Sequence, residues 1–177
     1  MRSDRLKVAL TRRLPDVVEK RLAQLFNVQF RKEDTQLTKQ DIIDHMKDVD
    51  VLVPCISDVI DASMLAQAGK QLKLIANFGA GFDNIDVATA LHRGILVSNT
   101  PDVVTEDTAD MAMALMLSVT RQIPQGLTFM QSGRWDGWSP SAFLGSRLAG
   151  KRLGILGMGR IGRAIAVRAK AFGMEVH

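Results

Sequence analysis

The stretch GILGMGRIGRAIAVRAKAFGMEVH, residues 154–177, decides how this chain is read. Gly157, Gly159 and Gly162 make a G-x-G-x-x-G pattern that follows a strand-like RLGIL (152–156) and opens a helix striped with Ile161, Ile165, Ala169 and Phe172. In that setting each glycine has a physical task. Gly157 permits a tight turn, Gly159 lets phosphates approach bare backbone, and Gly162 lets the helix pack closely on its strand. Amides at the helix N-terminus then meet an anion. The pattern implies a dinucleotide, NAD or NADP, and the competing reading is a purely structural glycine turn. The residue that tells the two cofactors apart is expected about 20 positions after the first glycine. Glu175 falls short of that distance inside MEVH, and the better-placed position lies beyond His177.

Toward the N-terminus, strand-like and helix-like segments alternate. KVALT (7–11) reads as a buried strand, and 14–26 puts Leu14, Val18, Leu22, Leu25 and Phe26 on one helical face. The pattern repeats as VQF (28–30) with KQDIIDHM (39–46), DVLVPC (50–55) with DASMLAQAG (61–69), and LKLIANF (72–78) with DVATALHRG (86–94), before a fifth strand at ILVSN (95–99). Parallel strands need crossover connections, so this predicts an α/β, flavodoxin-like domain with a parallel sheet covered on both faces. A long helix is expected from Thr105 to Met130, with Thr105 as cap, Glu106 and Asp107 at its positive end, and Pro124 and Gly126 as points of breakage. Its middle, ADMAMALMLSV, is apolar on nearly every face, which predicts a helix wedged between two bodies with Met111, Met113 and Met116 in core positions. The expected division is 1–100 for the first domain and 101–177 for the N-terminal part of a Rossmann domain.

Composition narrows the function classes. The chain has 177 residues, 46% hydrophobic and 24% charged, with a formal charge of +4, a sequence pI near 9.5 and a mean hydropathy of +0.04. That balance suits a globular protein and not a disordered one. The basic residues are scattered without aromatic interleaving, which argues against nucleic acid and for a basic rim around an anionic cofactor. One cysteine, Cys55, excludes an internal disulfide and suggests a reducing, cytoplasmic setting. The longest apolar run, 112–119, is too short for the roughly 20 residues that span a bilayer. No membrane association and no metal site are expected.

A second site-like stretch is NFGAGFDNID (77–86), at the C-terminal end of a predicted parallel strand, where ligands of open α/β sheets bind. Glycines on either side of Ala80 can turn amides toward a carboxylate. The competing reading is a plain turn with Asp83 or Asp86 capping the next helix.

Together, NFGAGFDNID, VSNTPDVVTEDTADMAMALMLSVTR and GKRLGILGMGRIG resemble the D-isomer-specific 2-hydroxyacid dehydrogenases, most of all their glyoxylate and hydroxypyruvate reductase members. The resemblance covers essentially the whole chain. It implies a substrate-binding domain, a nucleotide-binding domain inserted after it, and a small 2-oxo or 2-hydroxy acid as substrate. It further implies that the Ala80 and Gly81 amides hold the substrate carboxylate, that Cys55 and Ile56 line the pocket, that Thr105 lies near the nicotinamide, and that Met158 to Ile161 touch the pyrophosphate. A homodimer through the apolar helix is also implied.

The resemblance carries one departure. The family's catalytic Arg, Glu and His lie in the later part of the nucleotide domain, and no segment here corresponds to it. The chain is therefore expected to be an N-terminal fragment without catalytic residues, inactive alone, with exposed sheet edges that promote association. His45 and His92 read as surface or helix-end residues, and Cys55 as pocket wall and not nucleophile. Trp135 and Trp138 read as packing residues, with an aromatic wall or a subunit contact as the alternatives. A non-catalytic nucleotide-binding regulator, akin to corepressor relatives, is the competing function, and a downstream Arg, Glu and His would decide for the enzyme.

Overall fold

The computed structural model describes residues 5–177. The chain divides into two compact units that part between Pro101 and Asp102. The first unit alternates strand and helix from its start: β1 (Lys7–Leu10), α1 (Asp16–Leu25), β2 (Asn27–Gln29), α2 (Lys39–Asp48), β3 (Val51–Val53), α3 (Ala62–Leu65), β4 (Leu74–Ala76), α4 (Val87–His92) and β5 (Leu96–Ser98). All strands pair in parallel in the order β2-β1-β3-β4-β5, the flavodoxin-like arrangement.

The pleat of β1 explains why both faces are covered. Val8 and Leu10 enter a cluster with Leu14 and with Val18, Leu22 and Phe26 of α1. Ala9 points the other way, into the larger core with Ile42, Ile43 and Met46 of α2, Met64 and Leu65 of α3, Ala90 of α4, and Leu52 and Ile75 of the sheet. Leu25 does not follow the expected stripe and is exposed at the C-terminal end of α1. The helix starts are set by side chains. Thr38 and Asp41 form a reciprocal capping box on α2, Asp61 accepts from the Met64 amide, and Asp86 accepts from the Thr89 amide.

The second unit contains α5 (Thr105–Thr120), α6 (Ile123–Gln131), β6 (Arg152–Leu153), α7 (Arg160–Ala171) and β7 (Glu175–Val176). The strands β6 and β7 pair in parallel around the α7 crossover, the βαβ unit with which a Rossmann domain begins. The expected single helix from 105 to 130 is two helices. It breaks at Gln122, which takes a left-handed φ of 55°, so Pro124 falls in the first turn of α6, where its missing amide costs nothing. Thr105 is the first helical residue and not the cap; Val104 holds the cap position and no side chain caps the helix.

The core of this unit is smaller: Met113, Leu148, Ala169 and Met174, flanked by Met116, Leu117, Leu153 and Val176. Met111 departs from the expected core trio and is exposed, since only one side of α5 packs against α7. No helix among the described residues is long and apolar enough to cross a membrane.

Candidate functional site

The C-terminal edge of the first sheet gathers Thr11, the Cys55–Asp58 turn, the Asn77–Asn84 loop and Asn99, at the ends of β1, β3, β4 and β5. At Gly79, Ala80 and Gly81 the three carbonyls are all engaged. Gly79 O accepts from the Thr100 amide (2.9 Å), Ala80 O from Asn99 Nδ2 (2.8 Å) and Gly81 O from Asn77 Nδ2 (2.8 Å). Among the described residues the amides of Ala80 and Gly81 donate to no protein acceptor. Two uncommitted N–H groups at the end of a parallel strand are donors in search of an anion.

Neither Gly79 nor Gly81 has a positive φ, and close approach is what requires a glycine at 79. A Cβ on Gly79 would collide with Cγ2 of Ile56, which lies over the loop with its side chain largely exposed. Beside it, the Cys55 amide donates to Asp58 Oδ2 (2.9 Å), and Thr11 Oγ1 donates to the same oxygen (2.5 Å). Asn84 Nδ2 donates to the Asp58 carbonyl (3.0 Å), and its Oδ1 accepts from Asn77 Nδ2 (3.2 Å), so one polar network joins the Cys55 turn to the glycine loop. Asp58 is 1% exposed and its Oδ1 has no partner. Burial and the neighbouring Asp58 carboxylate push the half-buried Cys55 thiol above its usual range, which keeps it protonated and a poor nucleophile.

In the second unit the glycine loop leads into α7. Gly157 has φ +98°, a conformation L side chains rarely adopt. A Cβ on Gly162 would strike the Gly157 carbonyl, whereas one on Gly159 would meet nothing within 4 Å. Close packing is thus what requires Gly162, and open approach is what Gly159 offers. The first intrahelical bond across the turn is from the Arg163 amide to Gly159 O, and among the described residues the amides of 158–162 have no acceptor. An open cleft of about 430 Å³ beside them is lined by Asp102, Thr105, Glu106, Arg160, Arg163, Ala164 and Val167. Arg160 pairs with Asp102 (2.6 Å), and Arg163 donates to Met158 O (3.1 Å). Met158 and Ile161 leave apolar surface at the same end. Free amides, an unobstructed Gly159 and two guanidinium groups fit a pyrophosphate.

The remaining candidates lie elsewhere. His45 sits on α2 with Nδ1 3.0 Å from Gln29 Oε1, and burial, with Arg31 second, lowers its pKa. His92 ends α4 and is exposed. Trp135 and Trp138 line an apolar cavity of about 250 Å³ with Phe129 and Phe143, and Trp138 is 84% exposed. Among the described residues no group of three or more His, Cys, Asp or Glu could hold a metal. Sequence reading missed Thr11, Asp58, Asn84 and Asn99; the available signal was a polar residue directly following an apolar strand, as Thr11 follows VAL and Asn99 follows LVS.

These features carry a family assignment. Residues 8–171 match the family described as D-isomer specific 2-hydroxyacid dehydrogenase, catalytic domain, and the chain belongs to it. It is 42% identical over 174 residues to a glyoxylate reductase of Pyrococcus horikoshii, an alignment covering 96% of this chain and 52% of that one. Among solved structures it resembles a Thermus thermophilus protein (TM-score 0.89, 40% identity, 97% of this chain and 55% of that chain). It also resembles an NADPH-dependent glyoxylate/hydroxypyruvate reductase of Sinorhizobium meliloti in complex with NADP and malonate (TM-score 0.78, 32% identity, 98% and 52%). The chain thus spans about half the length of the relatives it matches.

Proposed function

We propose that this chain supplies the carboxylate cradle and the pyrophosphate loop of an NAD(P)-dependent reductase of small 2-oxo acids, glyoxylate or hydroxypyruvate. The observation that carries the reading is the pair of uncommitted amides at Ala80 and Gly81, standing at a parallel-sheet edge in a chain of this family. Two N–H donors match the two oxygens of a carboxylate, and charge-assisted bonds of this kind are the strong ones. Cys55 and Ile56 wall the substrate. The amides of Met158 to Ile161, reached over Gly157, Gly159 and Gly162, hold the pyrophosphate, and Thr105 lies toward the nicotinamide. The dinucleotide, when bound, supplies hydride to the 2-oxo carbon.

This chain's part is binding, orientation and exclusion of water. No residue of it is assigned the proton transfer, because His45 is engaged with Gln29 at the end of the edge strand β2 and His92 is exposed at the end of α4. The 177 residues alone are accordingly expected to bind and not to turn over. The reading is tested by following nicotinamide oxidation with glyoxylate and hydroxypyruvate in the full-length protein, with Gly81→Pro, which deletes one amide, as comparison. Turnover with KM raised about tenfold or more in the variant supports it; equal KM values would sink it.

A homodimer belongs to the same proposal. Met111, Leu115 and Val119 recur every four residues along α5 and are exposed, as are Ile123 and Leu127 of α6 beyond the break at Gln122. A stripe of that extent marks a covered face in the assembled protein. Sedimentation of a Leu115→Glu variant as a monomer, against a wild-type dimer, is the expected outcome.

A further inference from the structure

We infer that Asn99 is a positioning residue for the substrate carboxylate, acting through the peptide between Ala80 and Gly81. The inference rests on the cradle reading given above. It follows from the planarity of the peptide bond. In a trans peptide the carbonyl of one residue and the amide of the next point in opposite directions, so whatever grips the carbonyl aims the amide. No peptide in the described chain is cis.

The peptide joining Gly79 and Ala80 is gripped by a backbone group, the Thr100 amide at 2.9 Å from Gly79 O. No side-chain change removes that hold. The next peptide is gripped by a side chain: Asn99 Nδ2 stands 2.8 Å from Ala80 O and turns the Gly81 N–H away from itself. A carbonyl offers no proton, so only the amino end of the Asn99 amide can make this contact.

Among the described residues no other hydrogen bond holds that plane. Rotation about Ala80 ψ and Gly81 φ flips it, and glycine places little restriction on φ. The side chain that grips it is itself well anchored, since Asn99 directly follows β5, whose Ser98 carbonyl accepts from the Asn77 amide at 2.8 Å. Asn77 Nδ2 holds the following plane through Gly81 O but is shared with Asn84, so its loss would loosen the Cys55 turn as well. Asn99 is the side chain through which the Gly81 amide alone can be released.

The test uses the full-length protein with Asn99→Asp, which keeps the size and removes the donor, and Asn99→Ser, which is too short to reach. Backbone amide shifts of Ala80 and Gly81 are followed during titration with oxamate, a 2-oxo acid mimic that cannot be reduced. In the wild type both amides shift in a saturable way; in both variants the Ala80 response remains and the Gly81 response is lost. The glyoxylate KM rises about ten- to a hundredfold, as expected for one charge-assisted bond, while kcat changes less than about threefold and nucleotide affinity is unchanged. Unaltered KM and an intact Gly81 response in the variants would overturn the role of Asn99 and leave the cradle standing. Loss of nucleotide affinity together with carboxylate affinity would also overturn it, as the mark of a general collapse. If neither amide responds in the wild type, the cradle itself is wrong and this inference falls with it.

Discussion

Two glycine-containing loops in this chain leave backbone amides free, and they do so by different means. At 157–162 the geometry is intrinsic: a left-handed Gly157, a bare Gly159 and the unsatisfied first turn of α7 expose N–H groups without help from any side chain. At 79–81 the glycines keep ordinary backbone angles, and the amides are free because Thr100, Asn99 and Asn77 hold the three carbonyls. The first loop is written in the spacing of three glycines. The second is written in hydrogen bonds that the loop receives from the end of β4 and from the end of the neighbouring β5.

The two units differ in the same sense. The first has a core of fully buried side chains on both faces of a five-stranded sheet, whereas the second has a core cluster of only four buried residues beside a two-stranded one. Truncation should therefore cost more in the first. Leu52→Ala, at 0% exposure, is expected to lower stability by about 2–5 kcal/mol, while Met113→Ala, at the smaller core, stays near about 2 kcal/mol because neighbours can relax into the space. Urea unfolding of both variants measures the contrast, and equal losses would break it.

The loops themselves can be set against each other by adding one methyl group. In Gly162→Ala the new Cβ meets the Gly157 carbonyl, which is backbone and cannot swing aside. The expected outcome is a loss of about 1–3 kcal/mol, with weaker nucleotide binding as α7 is pushed off its strand. In Gly79→Ala the obstacle is the Cγ2 methyl of the largely exposed Ile56, a side-chain atom and not backbone. That side chain can change rotamer, so stability should fall by less than about 1 kcal/mol, while substrate KM moves with the displaced wall. Calorimetric unfolding with nucleotide and substrate titrations reads both; a larger loss of stability at Gly79 would reverse the ranking.

This contrast explains what was legible in the sequence. The alternation of KVALT, VQF, DVLVPC, LKLIANF and ILVSN with helical stripes gave the parallel sheet, because period-2 and period-3.6 burial are local properties. The fingerprint at 157–162 was legible for the same reason. The break at Gln122 was not, since a left-handed residue other than glycine leaves no compositional mark, and Pro124 and Gly126 drew attention one turn too late. Asn99, Asn84 and Asp58 were illegible as a set, because their meaning lies in hydrogen bonds across 19, 26 and 3 positions. The exposure of Met111 was hidden by a helix apolar on nearly all sides, whose buried face only the packing of α7 selects.

A smaller effect distinguishes the helical flank of the first sheet from the edge that carries the proposed cradle. Burial, and Arg31 after it, lower the His45 pKa, with Asp41 and Asp44 opposing. The unfolded chain then binds the proton more readily, so the contribution to stability is complete above the unfolded value and is lost as pH falls through the folded one. Between pH 7 and pH 5 the urea midpoint should drop, by less than about 1 kcal/mol of stability because the side chain is only partly buried. His45→Gln should flatten this dependence, and an unchanged slope in the variant would show that other groups cause it.

The smallest effect concerns reactivity at the edge proposed to bind substrate. Cys55 stands beside Ile56, in a turn pinned by Asp58, with its thiol pushed upward by burial and by that carboxylate. Alkylation proceeds through the thiolate. At pH 8 the thiolate fraction of Cys55 is below that of a free cysteine, so iodoacetamide should modify it several-fold more slowly than it modifies a small thiol. Two causes of slowness can be separated by the pH dependence. Restricted access of the reagent alone slows the reaction equally at every pH, whereas a raised pKa shifts the midpoint of the rate profile to higher pH. The expected profile is shifted, and Asp58→Asn should bring it partly back by removing the like charge while keeping the side chain's size. Adding a 2-oxo acid should slow the reaction further if the turn is pocket wall. Alkylation faster than the small thiol at pH 8 would mark Cys55 as an activated nucleophile and turn this edge from a binding surface into a reactive one.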